Sequence, residues 1–245
     1  VPSVLSQCHE FKFSESYRYA SEVRKAIFEG THADSVLDVA SDLEKQILAP
    51  RKKTLLHDYI EYVIQDDLNF YFSDAGYDDN CAAPVIEMFD QYKIEYLSLE
   101  EYNKQFEFDD AFIYNTDYLP EIAETKFAPA VAIEVFNILF GDREAMKTFN
   151  LLVANQLGER TNRCTYWPKW LERALFCREK GQCAICKSDL SSLYQTLGKL
   201  SIDHIVPIAL NGVNDPTNLQ ILCQACNLQK LGNVVVTSNA LPLYW

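Results

Sequence analysis

In the first 160 residues, apolar positions recur every three or four residues in stretches bounded by polar caps and breakers, which predicts helices joined by short loops. Val36, Ala40, Leu43 and Ile47 form one such stripe, and Pro50 stops it. Further helices are expected over Glu15 to Glu29, Thr54 to Phe70, Glu121 to Phe140 and Arg143 to Leu157, the last two parted by Gly141 and Asp142. Another opens at Ser98, where Glu101 three positions on makes a capping box. Pro129 should kink or split the helix that contains it. Near residue 160 the pattern changes. "GERTNRCTYWPKW" has no helical period, "WLERALFCREKGQC" reads as a basic helix running into a turn, and "KLSIDHIVPIAL" alternates as a strand does. The turn "NGVNDPTN" follows, and then a short helix over Cys223 to Leu231 ended by Gly232. The expected domains are residues 1–160, mainly helical, and 161–245, a small α+β part.

Composition sharpens this division. The chain has 245 residues, 48% of them hydrophobic, which is enough for one large core or two modest ones. It contains no apolar run of the roughly 20 residues that a membrane span needs, and no basic-then-apolar leader, so a cytoplasmic protein is expected. The net charge of -13 is uneven: residues 1–160 hold 14 Lys+Arg and 30 Asp+Glu, and residues 161–245 hold 8 and 5. The acidity of the first part argues against a nucleic-acid site there, while the weakly basic second part does not by its charge alone prove one. The acidic part is expected to bind a protein partner, self-associate or regulate the rest. Its histidines (His9, His32, His57) and its aromatic residues are read as surface or core residues.

Eight cysteines are too few for a disulfide scaffold in a chain of this length. Cys8, Cys81, Cys164 and Cys177 are read as isolated, buried thiols. The other four form two C-x-x-C pairs, Cys183/Cys186 and Cys223/Cys226, with 36 residues between them. Two such knuckles can place four sulfurs at the corners of one tetrahedron, which is a closed, structural Zn²⁺ site. Four thiolates around Zn²⁺ carry -2, which would leave the C-terminal part near +1. Between the knuckles Asp203 and His204 are adjacent at the centre of the predicted strand. An Asp-His pair on an apolar strand has little structural purpose. On a regular strand the two side chains point to opposite faces, so aiming both at one phosphate requires a bulge or the strand's end.

C-x-x-C, Asp203-His204 with Pro207, Gly212, Asn218-Leu219, and C-x-x-C-N-x-x-K ending at Lys230 together resemble the HNH nuclease family, over about residues 166 to 235. The resemblance implies a ββα-metal fold and a metal-dependent endonuclease acting on DNA and leaving 5′-phosphates. It implies His204 as general base, Asp203 and Asn227 as holders of one divalent cation (Mg²⁺ or Mn²⁺), and Asn218 as the tie of the loop that orients His204. Asn227 stands where many members have His. Lys230, Lys187 and Lys199 are the expected substrate contacts. Nucleases of this family joined to unfamiliar domains resemble restriction or anti-phage effectors. The competing expectation is a non-catalytic, zinc-stabilised nucleic-acid-binding or adaptor protein.

Overall fold

The computed structural model describes residues 9–75, 82–106, 111–195 and 200–241, so Cys8, Cys81 and Lys199 lie outside the described residues. The fold is α+β: helices build most of it, and one two-stranded antiparallel sheet lies near the C-terminus. The chain gathers into two compact units, Val1–Ser21 with Ile60–Phe136, and Glu22–Tyr59 with Asn137–Trp245. The sequence boundary at 160 falls inside the second. Counted by unit, the acidity is still more concentrated. The first unit holds 5 Lys+Arg against 20 Asp+Glu, or -15; the second holds 17 against 15, or +2.

Helix α1 spans Ser16–Glu29, α2 Leu43–Leu48, α3 Leu55–Ala75, α4 Ala83–Tyr92 and α5 Leu99–Phe106. The capping box is present at α5: the Ser98 N–H donates to Glu101 Oε2 (2.9 Å) and the Glu101 N–H to Ser98 Oγ (3.3 Å). The single helix expected from Val36 to Ile47 is reduced to the six residues of α2. The reason lies at Ser41, whose N–H and hydroxyl both donate to Asp58 Oδ2 at 3.0 Å; this diverts the backbone into turns ahead of Leu43. Residues 111–140 also differ from expectation. Short helices α6 (Ala111–Ile113) and α7 (Leu119–Ile122) and the longer α8 (Ala128–Phe140) are joined through π-helical turns at Tyr114–Tyr118 and Ala123–Phe127. Each π turn ends two residues before a proline, Pro120 or Pro129. A proline ring crowds the carbonyl four residues back, here Thr116 or Thr125, and the wider turn accommodates it without breaking the rod.

In the second unit α9 (Arg143–Leu157) is capped by Asp142, whose Oδ1 accepts from the N–H groups of Glu144 and Ala145, and it ends at Gly158 with φ +65°. Then come α10 (Lys169–Arg178), α11 (Ser191–Gln195), β1 (Ser201–His204), β2 (Leu219–Leu222) and α12 (Gln224–Lys230). β1 and β2 pair with Asp203 opposite Gln220 and His204 opposite Leu219, and α12 packs on both strands. The apolar side of this ββα unit, with Ile202, Leu219, Ile221 and Leu222, buries Leu171 and Leu175 of α10. Cys177, two residues past Leu175, points away from that core and is exposed; Cys164 is half-buried. The expectation that both thiols are buried is thus corrected.

Candidate metal centre and adjoining histidine site

The two knuckles meet. Cys183 closes a tight turn, donating its N–H to Ser188 O (2.9 Å) and accepting at its carbonyl from Lys187 N–H (3.0 Å). Ala184 N–H donates to Ile221 O (2.9 Å), pinning this turn to β2. Cys223 caps α12, its Sγ accepting from Cys226 N–H at 3.4 Å. The four Sγ atoms lie within 4.8 Å of one another, and Cys186 Sγ stands 3.7 Å from Cys223 Sγ. That matches the edge of roughly 3.8 Å that Zn–S bonds of about 2.3 Å give a tetrahedron. All four are free thiols, not disulfides. The Ser188 hydroxyl bond pulls the Cys186 thiol down to about 6, whereas burial pushes Cys226 up to about 12. A soft divalent cation suits the set and would release the remaining thiol protons on binding.

His204 is the last residue of β1. The strand is regular up to it, with Ile202 and His204 facing inward and Ser201 and Asp203 outward. The imidazole is 4% exposed and meets the Trp167 ring edge-on, with centroids 5.9 Å apart. Its Nε2 lies 3.1 Å from Asn214 Oδ1. The chemistry around Asn214 fixes the direction of that bond. Asn214 Nδ2 faces three carbonyls, Ile47 O (3.2 Å), Leu48 O (3.1 Å) and Asn162 O (2.8 Å), while Oδ1 also accepts from Cys164 N–H (3.0 Å). The amide cannot be flipped without setting oxygen against oxygen, so His204 Nε2 carries the proton and donates. Nδ1 keeps its lone pair and makes no hydrogen bond among the described residues. Burial lowers the His204 pKa to about 4, against the Asn214 bond and the nearby Asp203 charge, so the ring is neutral at pH 7.

The loop after His204 is tied by Asn218, which is fully buried. Its Oδ1 accepts from Val206 N–H (2.8 Å), its Nδ2 donates to Val206 O (3.0 Å) and Val213 O (2.9 Å), and its carbonyl accepts from Ile205 N–H (2.7 Å). Gly212 completes the loop by close approach, since a Cβ there would lie 1.8 Å from Val206 O.

Asp203 lies on the opposite face of the regular strand, so the bulge offered from sequence is absent and only the place of His204 at the strand's end is left to turn the two towards one phosphate. Its Oδ2 accepts from Lys230 Nζ (2.7 Å) and Gln220 Nε2 (3.1 Å), while Oδ1 has no donor among the described residues. Lys230 Nζ also donates to the His204 carbonyl, and its side chain is 2% exposed. Gln220 is fixed in turn by Arg143 NH2 on its Oε1 (3.2 Å). Arg143 and Arg178 both lie on Glu179 Oε1, at 3.1 and 2.8 Å, in a buried trio with one positive charge in excess. Burial, then the neighbouring Arg178 charge, lowers Arg143 to about 9. Asn227 is half-buried on α12, one turn before Lys230 and so on the same helix face. The free Asp203 Oδ1 and the Asn227 amide are hard oxygen donors of the kind Mg²⁺ or Mn²⁺ takes, and so small a protein set would leave such an ion mostly hydrated.

Of the substrate lysines expected from sequence, Lys230 is engaged as described. Lys187 Nζ donates to Ala184 O and Ser238 O, both at 2.9 Å. Each ammonium thus has two of its three N–H donors engaged within the protein. The sequence reading passed over Asn214, Gln220, Arg143 and Trp167. Asn214 sits in the "NGVNDPTN" stretch read only as a turn, and Gln220 could have been found as the cross-strand partner of Asp203. Nothing in the sequence pointed to Arg143, 60 positions upstream of Asp203.

The family model for HNH endonucleases matches residues 183–231, and the helical region before it matches no family. No curated protein and no solved structure matches the chain. The match covers both knuckles, the sheet and α12, and it suggests a nuclease-type or nucleic-acid-binding function with a metal site. Among the described residues no helix is long and apolar enough to cross a membrane.

Proposed function

We propose that the second unit is a metal-dependent endonuclease that hydrolyses DNA phosphodiester bonds, with His204 as general base. The observation that carries the reading is the imidazole: neutral, held through Nε2 by Asn214, and with an Nδ1 lone pair that has no partner among the described residues and could take a proton from water. A held, neutral ring needs no reorientation before the proton moves, which is the role of a positioned base. Asn218 holds the His204 loop in register, and Lys230 and Gln220 hold the Asp203 carboxylate on one oxygen. Asp203 and Asn227 would hold the divalent cation. When bound, that ion supplies electrostatic stabilisation of charge developing on the scissile phosphate. The four-cysteine centre is closed and serves to fix α12 against the sheet. This activity would suit a restriction or anti-phage effector, as the resemblance implies.

Digestion of plasmid DNA, single-stranded DNA and RNA with Mg²⁺, Mn²⁺ or Ni²⁺, beside a binding measurement, tests the reading. We expect DNA to be cut to 5′-phosphate ends, and His204→Ala to slow cutting by roughly 10²–10⁴-fold while still binding. A wild-type chain that binds nucleic acid and cuts none of the three would favour the non-catalytic, zinc-stabilised binding module.

A further inference from the structure

Among the described residues, the lysines of the segment that the HNH family model covers, Lys187 and Lys230, bond within the protein, and exposed cations without a partner lie outside it. Asn214 gathers three stretches of chain around His204, and two of them bring positive charge. One is Asn162 to Cys164: the carbonyl of the first and the N–H of the second both bond Asn214. Arg163 lies between them. It is exposed, forms no hydrogen bond or ion pair among the described residues, and is close enough for its charge to be felt at both His204 and Lys230. The other stretch is Ile47 and Leu48, whose carbonyls receive Asn214 Nδ2. Three residues past Leu48 the chain reads Arg51-Lys52-Lys53. With Lys45 these line an open depression of about 420 Å³ in which Asp42 is the one carboxylate among the lining residues. Lys45 is paired with Asp42 and Lys53 with Asp58. Arg51 and Lys52 are exposed and unpaired among the described residues.

Distance along this path can be bounded. Three Cα steps from Leu48 to Arg51 span at most about 11 Å, and with the Asn214 side chain and its bonds the run lies on the order of 20 Å from the imidazole. At 3.4 Å per phosphate along each strand, that corresponds to roughly six nucleotides. A chain of net charge -13 needs local cations of this kind to hold a polyanion at all.

We propose that Arg163, Arg51 and Lys52 form a track that holds the backbone phosphates of nucleic acid on one side of the bond cut at His204. The track rests on the nuclease reading for its purpose, but its binding can be measured without any cutting. It is independent of base sequence, because guanidinium and ammonium groups at these positions meet phosphates rather than base edges.

The test is fluorescence anisotropy with labelled duplexes of two unrelated sequences, in the full chain, without added Mg²⁺ or Mn²⁺, over a series of KCl concentrations. Arg51→Ala/Lys52→Ala should weaken both duplexes equally, by roughly tenfold, and lower the slope of log K against log salt by about 2; Arg163→Ala should lower it by about 1. Lys25→Ala, an exposed cation paired with Glu29, should change neither quantity. Unaltered melting temperatures establish that the three exposed substitutions leave the fold intact. Variants that bind with wild-type affinity and slope while the wild type cuts DNA would overturn the track and leave the nuclease reading standing. Weakened binding by the variants of a chain that never cuts would support the track and overturn the nuclease reading. A wild-type chain that binds no nucleic acid at all would overturn both.

Discussion

Asn214 shows how much of this site depends on a residue that no motif singles out. Its one amide lies within hydrogen-bond distance of five groups: the His204 Nε2–H and the Cys164 N–H on its oxygen, and three backbone carbonyls that share its two N–H donors. Asn214→Ala leaves the buried His204 Nε2–H without a partner and removes the side-chain bonds to the others, of which Ile47 O keeps the Asn214 N–H, at about 1–3 kcal/mol for each group that water does not reach. We expect a melting midpoint lower by roughly 6–12 °C, taking about 3 kcal/mol at 2–4 °C each, together with a large loss of any His204-dependent cutting. Thermal unfolding followed by circular dichroism checks the first, and the plasmid assay checks the second. At this scale the sequence was legible where chemistry is dense. The four cysteines and the Asp203-His204 pair could be named because few other uses explain such residues at such spacings, and Asn218 through the family resemblance. Asn214 and Arg143 could not, because an amide or guanidinium that bonds across 60 or more positions leaves no local period or spacing.

At the scale of elements, α12 is the most dependent part. Seven residues are too few for a stable helix in water, and its capping residue, Cys223, is itself one of the clustered thiols. Holding the four sulfurs together therefore also holds Asn227 and Lys230 against β1. We expect the purified chain to contain about one Zn²⁺, and a strong chelator or Cys186→Ser to remove it along with cutting, even when Mg²⁺ is plentiful. Metal analysis beside the cleavage assay checks this, and a chelated chain that still cuts in Mg²⁺ would contradict it. The helices of strong period, α1, α3 and α9, lie close to where the pattern placed them. The pattern failed where a tertiary bond intervened, as at Ser41 with Asp58, and where helical turns widened ahead of Pro120 and Pro129. Periodicity carries the spacing of apolar faces and is silent about both.

For the whole molecule, the order of residues along the chain and their grouping in space diverge. Residues 22–59 belong with 137–245, and they contribute the Ile47 and Leu48 carbonyls to Asn214 and the Leu55 N–H to Asp215 Oδ2 (3.0 Å). A fragment of residues 161–245, cut where composition shifts, lacks all of these. We expect it to unfold at lower temperature than the full chain and to lose His204-dependent cutting even with its zinc in place; calorimetry and the plasmid assay on the fragment check this. Charge and period change near 160, but composition does not record which early segments pack against a later loop. The grouping bears on inheritance. A single crossover near codon 160 would give the descendant a C-terminal part whose Asn214 meets a stranger's backbone. A cassette exchanged between Tyr59 and Asn137 would carry off most of the acidic ballast and leave the imidazole's supports with their original kin.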